Sequence, residues 1–196
     1  AGVFNQLDLA QRNFIPTASA LIKREHIFNL PYWFTDCPIG DWPLFLICSG
    51  YGKIKIFNEA MVVRRMHAGG IWGANLNNKK SFKNNQSLLH FFTIIRDKFS
   101  SEINVLLHQN YIKQVIKLSQ LHLKQNNFSE VKRYMQILFL EGYNLTQETN
   151  TLAEAITSKM TAQDKELKAI KAFNTTLITS MSYKLGRKIT SLFSVK

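Results

Sequence analysis

Proline is absent after residue 43, and residues 83–196 hold only two glycines, Gly142 and Gly186. That excludes a chain of many short turns over the last hundred residues and leaves long helices as the expectation there. Cysteine is almost absent: Cys37 and Cys48 are the only two. Two thiols cannot build a disulfide framework or a four-thiolate zinc site, so both read as reduced core or near-core residues of a cytosolic chain. No run of about 18 apolar residues occurs, which excludes a bilayer-spanning helix. No signal-peptide pattern opens the sequence and no glycine-rich phosphate loop is present. Acidic residues are scarce at one end, with none after Glu166.

What is present is a globular composition with 45% hydrophobic residues and a net charge of +12. In 196 residues there is room for one domain with a real core, or for a small domain with a helical appendage. The charge is uneven. Residues 1–75 carry seven basic and five acidic groups, leaving +2; the remaining eighteen basic and eight acidic groups leave +10 on residues 76–196. Such a basic half suits solubility, an anionic membrane surface or nucleic acid. Without a recognised motif or an aromatic-basic platform, nucleic acid is not expected as a partner.

The first part, residues 1–75, is mixed and holds all three tryptophans and all four prolines. From Asn13 to Lys23 the pattern predicts a strand, and Arg24–Phe28 a short turn or helix. A proline-bearing loop follows from Leu30. Trp42–Ser49 predicts a helix, with Pro43 tolerated in the first turn and Gly50 as its stop. Lys53–Phe57 alternates as a half-buried strand, and Ala60–His67 predicts another, with Met61, Val63, Arg65 and His67 on one face. The second part, residues 76–196, has helical periodicity. Leu88, Phe91, Phe92, Ile95 and Phe99 form one apolar face; Tyr111, Val115, Leu118 and Leu121–His122 form another. After a break at Asn126–Asn127, Val131, Tyr134, Met135 and Leu138 resume it. A helical hairpin closed by Gly142 is expected, then a polar helix over Thr151–Phe173 and a last one over Thr176–Lys196. The fold class expected is α+β.

Two positions invite chemistry. Asp41 stands where a helix begins; there it either caps amides and matches the dipole, or serves as a general base. His67 ends a predicted strand just before Gly69-Gly70. It is either a structural histidine or a ligand for metal or phosphate, with Arg65 on the same face able to pair with phosphate or face solvent.

The order of the segments adds to this. Asn13–Arg24 (NFIPTASALIKR), then Pro31–Phe34 (PYWF), Gly40-Asp41-Trp42, Gly52-Lys53-Ile54, and Arg65-Met66-His67 with Gly69, Gly70 and Trp72 together resemble the C-terminal part of the bacterial family 2 glycosyltransferases of the GT-A fold, over most of residues 10–75. The resemblance implies a partial GT-A-like α/β segment carrying the acceptor side, followed by a helical region. It implies that Asp41 is the catalytic base acting on an acceptor hydroxyl, that His67 helps to hold a divalent metal (Mg2+ or Mn2+) or the diphosphate, and that Trp42, Thr17, Ser19, Arg65 and Trp72 contact substrate. The implied partners are a nucleotide sugar and a glycan or lipid-linked acceptor in surface polysaccharide synthesis. Arg64 stands where the family commonly has Tyr, and Gly40 replaces the Glu of its commoner acidic pair.

The family's nucleotide-binding half and its Asp-x-Asp motif have no counterpart in this sequence. The chain opens on Ala1, which fits methionine removal or a longer parent; the resemblance favours the parent, and predicts little activity without the other half. Family members with helical extensions use some of them for protein contacts or membrane attachment. Ile178, Met181, Leu185, Ile189 and Leu192–Phe193 with Lys184, Arg187, Lys188 and Lys196 suit an interfacial helix on anionic lipid, or an ordinary packed helix. The expected location is therefore cytoplasmic, with peripheral contact at the inner face of the cell membrane. The alternative function is a noncatalytic helical interaction or membrane-associated module.

Overall fold

A computed structural model describes residues 2–63 and 78–142, together with the single positions Glu154, Ala172 and Thr175. The described part is mostly helical with one small two-stranded antiparallel sheet, an α+β arrangement. It divides into two compact units, Ala1–Asn127 and Phe128–Lys196. The junction expected at residues 75/76 falls inside the first of them.

In the first unit β1 (Gly2–Phe4) leads into α1 (Gln6–Gln11). A capping box starts this helix: the Asn5 side chain accepts from the Asp8 amide at 3.1 Å, and the Asp8 carboxylate accepts from the Asn5 amide at 2.8 Å. Two orphan amide donors are thereby satisfied in a helix too short to persist on propensity alone. Leu9 and Ala10 on its inner face are fully buried.

The predicted helix after the loop is present as α2 (Asp41–Ser49), with Pro43 in its first turn and Gly50 at its end. Phe45 and Leu46 face the core. Two long polar side chains tie α2 to α1: the Gln6 amide donates to the Leu46 carbonyl at 2.8 Å, and the Trp42 indole to the Leu9 carbonyl at 3.0 Å. The predicted strand at Lys53–Phe57 forms β2 (Ile54–Ile56), paired with β1 in the register Gly2↔Ile56, Val3↔Lys55, Phe4↔Ile54.

Two strand expectations are corrected. Asn13–Lys23 is not a strand; it carries a short 3-10 turn at Thr17–Ser19. Pro16 supplies no amide to a ladder. Side chains take local partners instead: Asn13 Oδ1 accepts from the Ile15 amide at 3.1 Å and the Ser19 hydroxyl donates to the Pro16 carbonyl at 2.8 Å. Such bonds compete with extended pairing. Ala60–Val63 pairs with no strand among the described residues, and Met61, Val62 and Val63 are exposed; the rest of that segment, with Arg65 and His67, lies outside the described residues. The proline-bearing loop contains a 3-10 turn at Tyr32–Asp36, and Arg24–Ile27 is the expected short turn.

α3 (Asn78–Ile95) and α4 (Ser101–Lys124) form the helical layer of this unit. α3 buries Phe91, Phe92 and Ile95, as its periodicity predicts. α4 packs against both α3 and α1 and buries residues such as Leu107, Val115 and Leu118, leaving a narrow exposed stripe. Asn110 donates to the carbonyls of Ala10 and Gln11 at 2.7 and 3.1 Å, which satisfies the end of α1 from the outside. A buried amide pair fixes α3 on α4: the Gln114 side chain donates to Asn85 Oδ1 at 2.8 Å and to the Asn85 carbonyl at 2.9 Å. α4 ends at a turn in which Asn126 takes a left-handed φ of 57°, the conformation asparagine tolerates best after glycine.

The second unit contributes α5 (Phe128–Leu140), whose Phe128, Val131, Tyr134 and Leu138 are buried. The chain leaves it at Gly142, whose φ of +67° glycine adopts without the strain that a Cβ would bring. The helix expected over Thr151–Phe173 is described only at Glu154 and Ala172, both helical, and the one expected over Thr176–Lys196 falls outside the described residues. Among the described residues no helix is long and apolar enough to cross a membrane.

Candidate functional site

Asp41 occupies the first turn of α2 and is half-exposed. Gly40, the residue before it, has no side chain with which to cap the helix, so the Asp41 carboxylate does that work. Its Oδ1 accepts from the Trp42 amide at 2.8 Å. Its Oδ2 accepts from the Thr17 hydroxyl at 2.6 Å. That short bond is charge-assisted, and it joins segments 24 residues apart. A carboxylate offers about four lone-pair directions, so with one bond on each oxygen it can still accept a hydroxyl arriving from solvent.

The structure therefore brings together Thr17 and Asp41, two of the residues singled out in the sequence. Ser19 lies in the same exposed turn, with its hydroxyl donated to Pro16. That bond tightens the turn that presents Thr17. Trp42 goes the other way. Its indole N–H is held by Leu9, and its ring packs on Phe91 and Phe92 with centroids 5.4 and 5.2 Å apart. It anchors the first turn of α2 to the helical layer, and so holds the backbone of its neighbour Asp41. Arg65, His67 and Trp72 lie outside the described residues. Among the described residues no group of three or more His, Cys, Asp or Glu side chains could hold a metal ion.

The opposite end of α2 carries features that sequence reasoning missed. The Tyr51 ring, just beyond Gly50, lies flat on the His26 imidazole, with centroids 4.6 Å apart and planes 2° from parallel. The Cys48 thiol points to the His26 carbonyl at 3.9 Å, and the Arg24 guanidinium sits 5.1 Å from the centre of the Phe28 ring. No periodicity marks the two contacts of His26, because they join a 3-10 turn to a helix end across more than twenty residues. The two cysteines stay thiols at neutral pH. Burial, and then the neighbouring Asp36 charge, push Cys37 up to about 11, and burial raises Cys48.

A scan of protein-family models and searches of curated proteins and of solved structures return no match for this chain.

Proposed function

We propose that this chain is the acceptor-side part of an inverting glycosyltransferase of the GT-A fold, acting with a nucleotide-binding half that its sequence lacks. In this reading a sugar passes from a nucleotide-sugar donor to a glycan or lipid-linked acceptor of surface polysaccharide synthesis. Asp41 takes the proton from the acceptor hydroxyl. The acceptor oxygen then forms its bond to the anomeric carbon on the face opposite the nucleoside diphosphate, which departs with the electrons of the broken C–O bond. A divalent ion, when bound, would neutralise the charge on that leaving group.

The observation that supports this most is the 2.6 Å bond from Thr17 to Asp41. Two of the ordered segments behind the family resemblance meet through the residues to which it gives roles. The carboxylate is half-exposed and held at both oxygens by partners that fix its direction. A base held in one orientation is what proton abstraction requires. The basic region 76–196 fits placement of the site at the cytoplasmic face of an anionic membrane.

The test is Asp41→Asn in the longer parent protein. Transfer is expected to fall by about 10²–10⁴-fold, the contribution of a general base, while nucleotide-sugar binding measured by calorimetry stays unchanged. Turnover like that of the unaltered enzyme would remove Asp41 from the mechanism, and the enzyme reading would then lose its main support.

A further inference from the structure

The segment from Thr17 to Phe28 is tied to both ends of α2. Thr17 holds Asp41 at the start, and His26 meets Cys48 and Tyr51 at the finish. The nine residues of α2 span about 14 Å at 1.5 Å per residue. An oligosaccharide of several rings laid along α2 from Asp41 would span that distance and reach the surface around Tyr51.

That surface is unusual for an exposed one. Tyr51 is 62% and Phe28 64% exposed. Both rings are nonetheless held by neighbours, one by the parallel imidazole and the other by the Arg24 guanidinium. Ordering an exposed aromatic ring in advance lowers what a ligand must spend to bind it. Hydrogen-bonding groups stand next to His26 in the chain: Arg24 and the exposed Lys23–Glu25 pair at 3.6 Å, and Tyr51 carries its own hydroxyl. Flat apolar rings bordered by donors and acceptors match a pyranose, which shows C–H bonds on its faces and hydroxyls around its edge.

We propose that the Tyr51–His26 ring stack is a saccharide subsite, taking a pyranose unit of the acceptor glycan beyond the unit presented to Asp41. This rests on the glycosyltransferase reading and names the substrate class for a second place on the same helix. Tyr51 supplies the stacking face. His26 positions it from behind. Arg24 and Glu25 take hydroxyls at the edge.

The test uses the 196-residue chain on a printed array of bacterial surface oligosaccharides. One class of glycan is expected to bind. Tyr51→Ala should weaken that binding about tenfold, the scale of one aromatic contact, and Tyr51→Phe should retain it. Circular dichroism would establish that each variant folds. No glycan binding by the chain, equal binding by Tyr51→Ala, or binding of a single-stranded oligonucleotide in place of a glycan would each overturn the subsite. None of these outcomes bears on transfer by the longer parent, so this proposal and the assignment of the base fail separately.

Discussion

If the contact between Thr17 and Asp41 is a built feature of the site, the two residues must be energetically coupled, and a double-mutant cycle on the 196-residue chain measures that. Asp41→Ala removes the acceptor for the Trp42 amide and for the Thr17 hydroxyl. Loss of a carboxylate from the first turn of a helix costs about 1 kcal/mol. The hydrogen bond from Thr17 adds its own share. Bonds to charged groups contribute about 1.5–3 kcal/mol, but the hydroxyl is exposed and water replaces it, which places this one at about 1 kcal/mol. Thr17→Val keeps the shape of the side chain and deletes only the hydroxyl. The expected coupling, the non-additive part of the double variant, is therefore about 1 kcal/mol. Urea unfolding followed by tryptophan fluorescence reads it, since Trp42 sits beside the contact. A coupling below about 0.3 kcal/mol, the scatter of independent sites, would mean that the two groups meet without consequence. Thr17 would then not hold the Asp41 carboxylate in a fixed orientation.

Three further outcomes follow from other parts of the chain. Cys37, pushed up to about 11 from an ordinary 9.0, should carry about 100-fold less thiolate at pH 8 than a free cysteine; alkylation by iodoacetamide as fast as in the urea-unfolded chain would contradict that burial. Gln114→Leu strands the Asn85 side-chain oxygen in the α3–α4 interface and should destabilise the chain by about 1–3 kcal/mol, with much of the loss recovered when Asn85 is also changed to Leu; a single variant as stable as the unaltered chain would refute the role of the pair. Flotation with anionic liposomes should fall as salt rises and fall further in a chain ending at Thr175, at about 1 kcal/mol per basic group near the surface; equal flotation by the two chains would assign the C-terminal segment to packing.

The helices were legible because their signal is repeated. α3 and α4 bury Phe91, Phe92, Ile95, Val115 and Leu118 at helical spacing, and a stripe built from many residues survives the loss of any one. α2 was legible from Pro43 and Gly50, which act on the backbone directly. The strand expected at Asn13–Lys23 failed for the converse reason. Its apolar residues Phe14, Ile15, Leu21 and Ile22 suggest a strand by composition, but a strand needs a partner ladder. Pro16 offers no donor, and Asn13 and Ser19 bond within the segment. Local polar bonds decide the conformation there, and binary patterning does not record them.

The candidate site divides along the same line. Asp41 was found because a helix start has a signature, and Thr17 because it lies in an ordered series of segments. Trp42 was assigned to substrate by its place in the Gly-Asp-Trp run. The direction of its indole, toward Leu9 and two phenylalanines far along the chain, depends on the angle between α2 and the helical layer. Neither composition nor spacing carries that angle. A tryptophan beside a candidate base can thus serve the base from behind. With its ring locked in the layer and its amide bound to Oδ1, Trp42 passes the rigidity of the core to the carboxylate. The exposed turn that holds Thr17 needs only to supply the second oxygen's partner. A site assembled in this way can keep one fixed side and one side toward solvent, and on the glycosyltransferase proposal the acceptor hydroxyl would come to Asp41 from that second side.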